Sequence, residues 1–389
     1  KTGVNALLIG AYNSLKMDNQ ASGNTLLNNC NNLCLSMFGT NELVRGFSSI
    51  PELAYFEQHQ VDPTNDPSVN GAEWKLGYDG IQRANTVLRV LARVPAGQLT
   101  DKEINQIKAE AIFIRAVLHF ELAKFYLHVP YVDESITFGA GNYCVPNKES
   151  IWPKIEADFQ FAADNLAPTN AERGRANSWA AKCLLAEAYM QQHKYAEALP
   201  LLTDAINNGV TAGGQKYALN QLYFDNFDCK KKNSAESVFA VQFNVPISGQ
   251  FILAGNSGMA VCVPLVPGCE GSGFAAASRS TVNTFKTDAV TGLPLFDTYD
   301  DSDIPDNSYL ADSDPFTPYT GTIDSRLDNS LMRRGIPLLD WGMPVSSWCF
   351  NKVVQGTFML KKYFFYKADK DIYAESMGWD YITSDNYDM

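Results

Sequence analysis

Apolar and polar residues along "AEAIFIRAVLHFELAKFYLHVPYV", residues 109–132, follow a helical period but leave two apolar stripes rather than one. At about 100° per residue, Ile107, Ile114, Leu118 and Phe125 share one side, and Phe113, Ala116, Phe120 and Ala123 lie roughly opposite. Two polar lines run between them: Lys108, Arg115 and His119, and Glu103, Glu110, Glu121 and Lys124. A helix with two apolar flanks needs two neighbours, which suits the inside of a layered helical array. Pro130 then ends it.

The same periodicity predicts helices over 3–16, 70–94, 101–127, 149–165, 178–192 and 195–208. Organisation changes near residue 220. "SVFAVQFNV", residues 237–245, alternates like a strand, and beyond it Gly, Pro, Asp and aromatic residues crowd long stretches with few clear elements. Loops of that length in a compact protein are commonly functional or disordered, and the aromatic content here argues against disorder. The expected organisation is a mostly α protein: a helical scaffold over 1–220, then a loop-rich, mixed ligand-binding region over 221–389 with few short strands and helices.

"LLAEAYMQQHKYAEALPLLTDAI" carries the clearest repeat signal. Leu185, Ala186, Tyr189, Ala198, Leu202 and Ala205 stand where a tetratricopeptide repeat places its alternating large and small residues. Small residues let two helices approach closely, and large ones fill the groove to the next repeat. An unrelated helical hairpin satisfies the same degenerate pattern.

Charge narrows the partners. Lys and Arg number 31 against 43 Asp and Glu, a formal net charge of −12, which disfavours nucleic acid and anionic membrane surfaces. No apolar run reaches the length of a membrane-spanning helix. The opening "KTGVNALLIGAYNSL" reads as an amphipathic helix rather than a signal peptide. Eight cysteines are scattered without a C-x-x-C pair, which argues against a closed zinc site; Cys183 reads as a buried thiol, and Cys262 and Cys269 bracket a Pro/Gly loop as a candidate disulfide.

Four segments in order give the chain a family resemblance: "WKLGYDGIQRANTVL", "AEAIFIRAVLHFELAKFYLHVPYV", "RANSWAAKCLLAEAYMQQHKYAEALPLL", and "PYTGTIDSRLDNSLMRRGIPLLDWG" with "KKYFFYK". Over about residues 1–368 the chain resembles SusD/RagB proteins, cell-surface lipoproteins of Bacteroidetes on tetratricopeptide-like helices. The resemblance implies a SusD-like fold and capture of oligosaccharides for a SusC-like TonB-dependent outer-membrane transporter. It also implies a lipid anchor, on an N-terminal cysteine outside this sequence, as the sole membrane attachment at the extracellular face. The family's "yGdvPyv" helix end stands here as Leu127 to Val132 without the Gly-Asp pair, and its "DPRL" stands as Asp324, Ser325, Arg326, Leu327. The family's C-terminal "RyAEvlLlyAEA" helix and later repeats are expected to be missing.

The residues agree with binding rather than catalysis. There is no G-x-S-x-G, H-E-x-x-H or P-loop motif, and the four histidines, at 59, 119, 128 and 193, are dispersed. No enzyme activity, catalytic residue, metal or cofactor is expected. His119, mid-helix beside Arg115, reads as structural. "DTYDDSDIPDNSYLADSDP" is rich in aspartate but lacks the order of an EF-hand loop, so a solvated acidic loop is the better reading than a calcium site.

Sugars are held by stacking a pyranose face on an aromatic ring while polar groups read the hydroxyls. The candidates are therefore loop aromatics and their polar neighbours: Trp341, Asp340 and Trp348 in "LLDWGMPVSSWCF", Tyr309 and Tyr319 on the preceding loop, and Tyr55, Asn65 and Trp74 around an early Asn/Asp/Pro loop. For Trp74 core packing is the plainer reading; for Trp341 and Trp348, stacking requires rings that are partly exposed. Two alternatives remain: a peptide-binding member of the same family, and a tetratricopeptide-type scaffold that binds another protein through its helices.

Overall fold

A computed structural model describes residues 2–16, 39–40, 42–46, 52–60, 62, 69–245, 264–269, 271, 273, 275–362, 364–376, 381–383 and 386–388. Among the described residues seven helices lie in the first 208 positions: α1 Thr2–Ser14, α2 Glu52–Glu57, α3 Val69–Leu91, α4 Asp101–Tyr126, α5 Trp152–Asn165, α6 Ser178–Met190 and α7 Tyr195–Asn208. From α3 onward each packs mainly against the next, and α1 closes on α3 and α4. The protein is mostly helical, on a tetratricopeptide-like scaffold.

The two-sided helix is α4. Its start is fixed by a capping box, in which the Thr100 hydroxyl accepts from the Glu103 amide and the Glu103 carboxylate accepts from the Thr100 amide. Every residue from Ala109 to Ala123 is buried, polar lines included. Phe125 is the exception among the stripe residues and is half-buried, because the helix runs out of its neighbours there. Gly77 and Gly80 of α3 permit the close approach: a Cβ at Gly77 would lie 2.9 Å from a Leu122 methyl, and one at Gly80 2.6 Å from a Leu118 methyl.

Polar residues inside the stack are paired rather than solvated. Arg115 forms a two-pronged ion pair with Asp158 of α5, at 2.8 and 2.7 Å, and also reaches Glu134 at 2.6 Å. Glu110 accepts from Tyr12 and Gln106 and pairs with Arg175. His119 accepts the Val132 amide at Nε2 (3.1 Å), which leaves Nδ1–H to donate to the Arg115 carbonyl (3.0 Å). Burial, then the charge of Arg115, depress its pKa to about 3, so it stays neutral. His119 is a structural residue.

The chain leaves α4 through a γ-turn: the His128 amide donates to the Tyr126 carbonyl at 2.6 Å, with Leu127 at φ 57, ψ −67. The family pattern has glycine at this position, and the geometry gives the reason. Beyond the turn the backbone folds back across α3, where Tyr78 and Asn85 donate to the carbonyls of Pro130 and Val132.

The strands are short: β1 Leu43–Arg45, between α1 and α2, pairs with β3 Ala275–Ala277, and after α7 β2 Ala240–Val241 pairs with β6 Tyr387–Asp388 and β4 Ala374–Ser376 with β5 Tyr381–Thr383, all antiparallel. The alternating stretch at 237–245 yields only the two-residue β2, yet Phe239, Val241 and Phe243 all bury against the helical core. Short helices α8 Arg279–Asn283, α9 Arg326–Ser330, α10 Lys352–Gln355 and α11 Lys370–Tyr373 punctuate the rest. This half has apolar clusters of its own, one around Met332, Leu338, Met359 and Phe364, another around Val282, Ile304 and Phe358. Among the described residues no helix is long and apolar enough to cross a membrane. Cys183 is half-buried, with burial pushing its thiol up to about 11. Cys262 lies outside the described residues.

Candidate functional site

The loop half separates the expected rings into covered and displayed ones. Trp341 and Trp348 are only 9% and 7% exposed, so neither presents a face to solvent and the exposed platform expected there is not formed. Trp341 instead packs on Phe364 and Phe365 with centroids 5.7 and 6.0 Å away, and its indole N–H donates to the Phe365 carbonyl at 2.8 Å. The physical reason is that the loop half, lacking long helices, builds its core from its own aromatic residues. Asp340 beside it is committed to the backbone, accepting the amides of Lys367 and Ala368.

Tyr319 is half-buried against the Val282 cluster. Trp74 is half-buried on the helical core, 5.0 Å from Tyr78 and edge-on to Tyr126 at 5.2 Å. Tyr55 is half-buried on α2, and Asn65 lies outside the described residues.

Tyr309 is different, with its ring 78% exposed. It stands within the acidic run, several of whose carboxylates are engaged rather than merely solvated. Arg279 pairs with Asp306 at 2.9 Å and lies 3.7 Å from Asp303. Asn283 donates to Asp300 and Asp303, and Arg334 holds the carbonyls of Ala311, Asp312 and Asp314. Burial works against Asp306, but the Ser308 hydroxyl and amide together with Arg279 hold its carboxyl below the usual range. Asp306, then Asp303 and Tyr309, raise Arg279 in turn, so Tyr309 stands within electrostatic reach of that guanidinium. The arrangement is an open ring face beside a fixed, half-exposed Arg and Asp303, the two kinds of group that can grip a sugar.

A second displayed ring pair escaped the sequence reading. Phe138 and Tyr143, 83% and 52% exposed, stack at 4.4 Å with planes 16° apart. Asn142 holds their loop by accepting the Thr137 amide and donating to the Ser135 carbonyl. A Gly-Ala-Gly-Asn turn between two aromatics was the available signal. Two hollows lie elsewhere. One is a cleft of about 380 Å³ between α1, the start of α4 and the 167–175 loop; the other is a cavity of about 90 Å³ beside Arg173 and Thr211. Neither contains a ring expected to stack. Among the described residues no cluster of three or more His, Cys, Asp or Glu has metal-binding geometry.

This is a helical-repeat body with a loop-built, ring-bearing surface. Residues 6–190 match the SusD-like family described as "Starch-binding associating with outer membrane". Over 200 residues the chain is 27% identical to a SusD-like protein of Bacteroides ovatus, covering 47% of this chain and 34% of that one. Over 182 residues it is 26% identical to SusD-like protein P25 of Formosa agariphila, covering 46% and 33%. The match thus spans about a third of the length of these relatives. Solved structures extend the likeness of fold over the whole chain. A SusD superfamily protein from Bacteroides vulgatus has a TM-score of 0.68 at 19% identity, covering 98% of this chain and 71% of that one. Surface glycan-binding protein A from Bacteroides thetaiotaomicron, in complex with laminarihexaose, has 0.67 at 18%, covering 100% and 75%. The sequence over residues 6–190 is thus similar to SusD-like proteins, and the fold is similar to theirs throughout.

Proposed function

We propose that this protein is a surface glycan-binding protein that captures oligosaccharides outside the cell and hands them to a TonB-dependent outer-membrane transporter, without turning them over. The scaffold is residues 1–220, and most of the ligand-reading surface belongs to 221–389. The observation that carries the reading is Tyr309, a displayed ring within electrostatic reach of the Arg279–Asp306 pair on a SusD-type fold. Phe138 and Tyr143 supply a second displayed face. Two solved relatives by fold, a laminarin-binding SusD-like protein and the glycan-binding protein A complex, support saccharide as the ligand class. The family's association with the outer membrane supports the location, with attachment through a lipid rather than a spanning helix.

A glycan array run beside a peptide library tests this. Binding to a glycan that Tyr309→Ala weakens supports the reading; binding to peptides with no glycan captured overturns it.

A further inference from the structure

In a chain of net charge −12, two distant segments bring five lysines together, Lys230 and Lys231 from "DCKKKN" and Lys361, Lys362 and Lys367 from "LKKYFFYKADK". Contact between α9 and the 3-10 turn Tyr223–Phe227 helps bring these segments together. Aromatic residues separate the cations: Tyr223 and Phe227 stack edge-on at 5.3 Å, and Phe224 meets Tyr366 at 6.4 Å.

How the charges are held decides what they can do. Lys230 and Lys231 are neutralised by Asp369 and Asp225, each at 2.6 Å. Lys362 sits over two ring faces, 4.6 Å from the Phe227 centroid and 5.3 Å from that of Tyr223; Lys367 lies 5.8 Å over Trp341. Lys361 lies 5.6 Å over Phe224 and donates to the Asp328 carbonyl at 2.6 Å. None of these three makes a salt bridge with a described residue. A ring face positions an ammonium without cancelling its charge, whereas a carboxylate does both. Burial lowers the pKa of Lys361, with the nearby charge of Asp328 opposing. The ring faces, for their part, are occupied by lysines and are poor platforms for a neutral sugar.

We propose that this basic, ring-held cluster at Lys361, Lys362 and Lys367 is a subsite for the anionic groups of an acidic oligosaccharide, carboxylates of uronic acids or sulfate esters. The inference rests on the glycan reading and adds a ligand class to it. An anionic bilayer fits less well: the chain's overall negative charge repels such a surface, and ring-clamped amines, two of them half-buried, suit discrete anions better than a diffuse sheet of charge.

The test is calorimetric titration of the full chain with hexasaccharides of galacturonic acid, of a sulfated galactan and of neutral laminarin, and with phosphatidylglycerol vesicles. An acidic hexasaccharide should bind with an affinity that falls as salt rises. Lys362→Gln and Lys367→Gln should each weaken it about fivefold, the scale of one exposed charge contact, while Lys362→Arg retains it and neutral binding is unchanged. Exposed Lys367 keeps the test valid should Lys362→Gln fail to fold. Neutral binding without acidic binding overturns this inference and leaves the glycan reading standing. Failure of every saccharide removes both. Vesicle binding alone, or acidic binding indifferent to the lysines, also overturns it.

Discussion

Arg115 of α4 and Asp158 of α5 meet inside the helical stack as a two-pronged ion pair, and Tyr131, from the strap that follows α4, donates to the same carboxylate at 2.8 Å. One interaction therefore ties two helices and the strap together. Removing one partner strands a buried charge. Asp158→Ala is expected to cost about 3 to 5 kcal/mol in urea unfolding, and Arg115→Met with Asp158→Leu considerably less. A single mutant as stable as the parent would show that the pair contributes nothing.

The γ-turn at Leu127 makes the opposite kind of prediction. Positive φ costs a leucine about 1 to 3 kcal/mol, and glycine gives back part of the gain through its freer unfolded chain. Leu127→Gly should stabilise by about 1 kcal/mol, raising Tm, since the 71%-exposed side chain contributes little packing. A lower Tm would mean that the turn is not strained.

Two buried groups give opposing pH dependence. Burial, then the charge of Glu121, raise Glu73 from 4.5 to about 7, with Lys124 opposing, and one oxygen of each carboxyl is buried without a hydrogen-bond partner among the described residues. The folded state thus prefers protonated Glu73. Its contribution is fully present below pH 4.5 and is lost as pH rises to about 7, on the order of 3 kcal/mol. For His119 the folded pKa is depressed from 6.5 to about 3, so its contribution is present above 6.5 and lost as pH falls through that window. Glu73→Gln should flatten the loss of stability between pH 4.5 and 7 in denaturant titrations at stepped pH. An unchanged profile would place Glu73 in water.

Trp341 and Tyr309 should part company on mutation. Trp341→Ala is expected to cost about 3 to 5 kcal/mol of stability, as a ring lost from a packed cluster. Tyr309→Ala should change stability by less than about 0.5 kcal/mol yet weaken glycan binding about fivefold or more. Melting temperature and affinity measured on both variants check this; a Tyr309→Ala protein that unfolds, or binds normally, removes Tyr309 from the site.

By itself the sequence determined the helical half. The two stripes of α4 and the small residues Ala186, Ala198 and Ala205 are local patterns, readable because a helix repeats every few residues along the chain. Which rings face solvent was decided only by tertiary structure. Trp341 sits among Gly and Pro as a ligand platform would, yet it is covered by Phe364 and Phe365; Tyr309, in similar surroundings, is open. Leu43–Arg45 finds its strand partner at Ala275–Ala277, and Lys362 finds its rings at Tyr223 and Phe227. Such contacts depend on residues brought from far along the chain, and no local period of hydrophobicity encodes them.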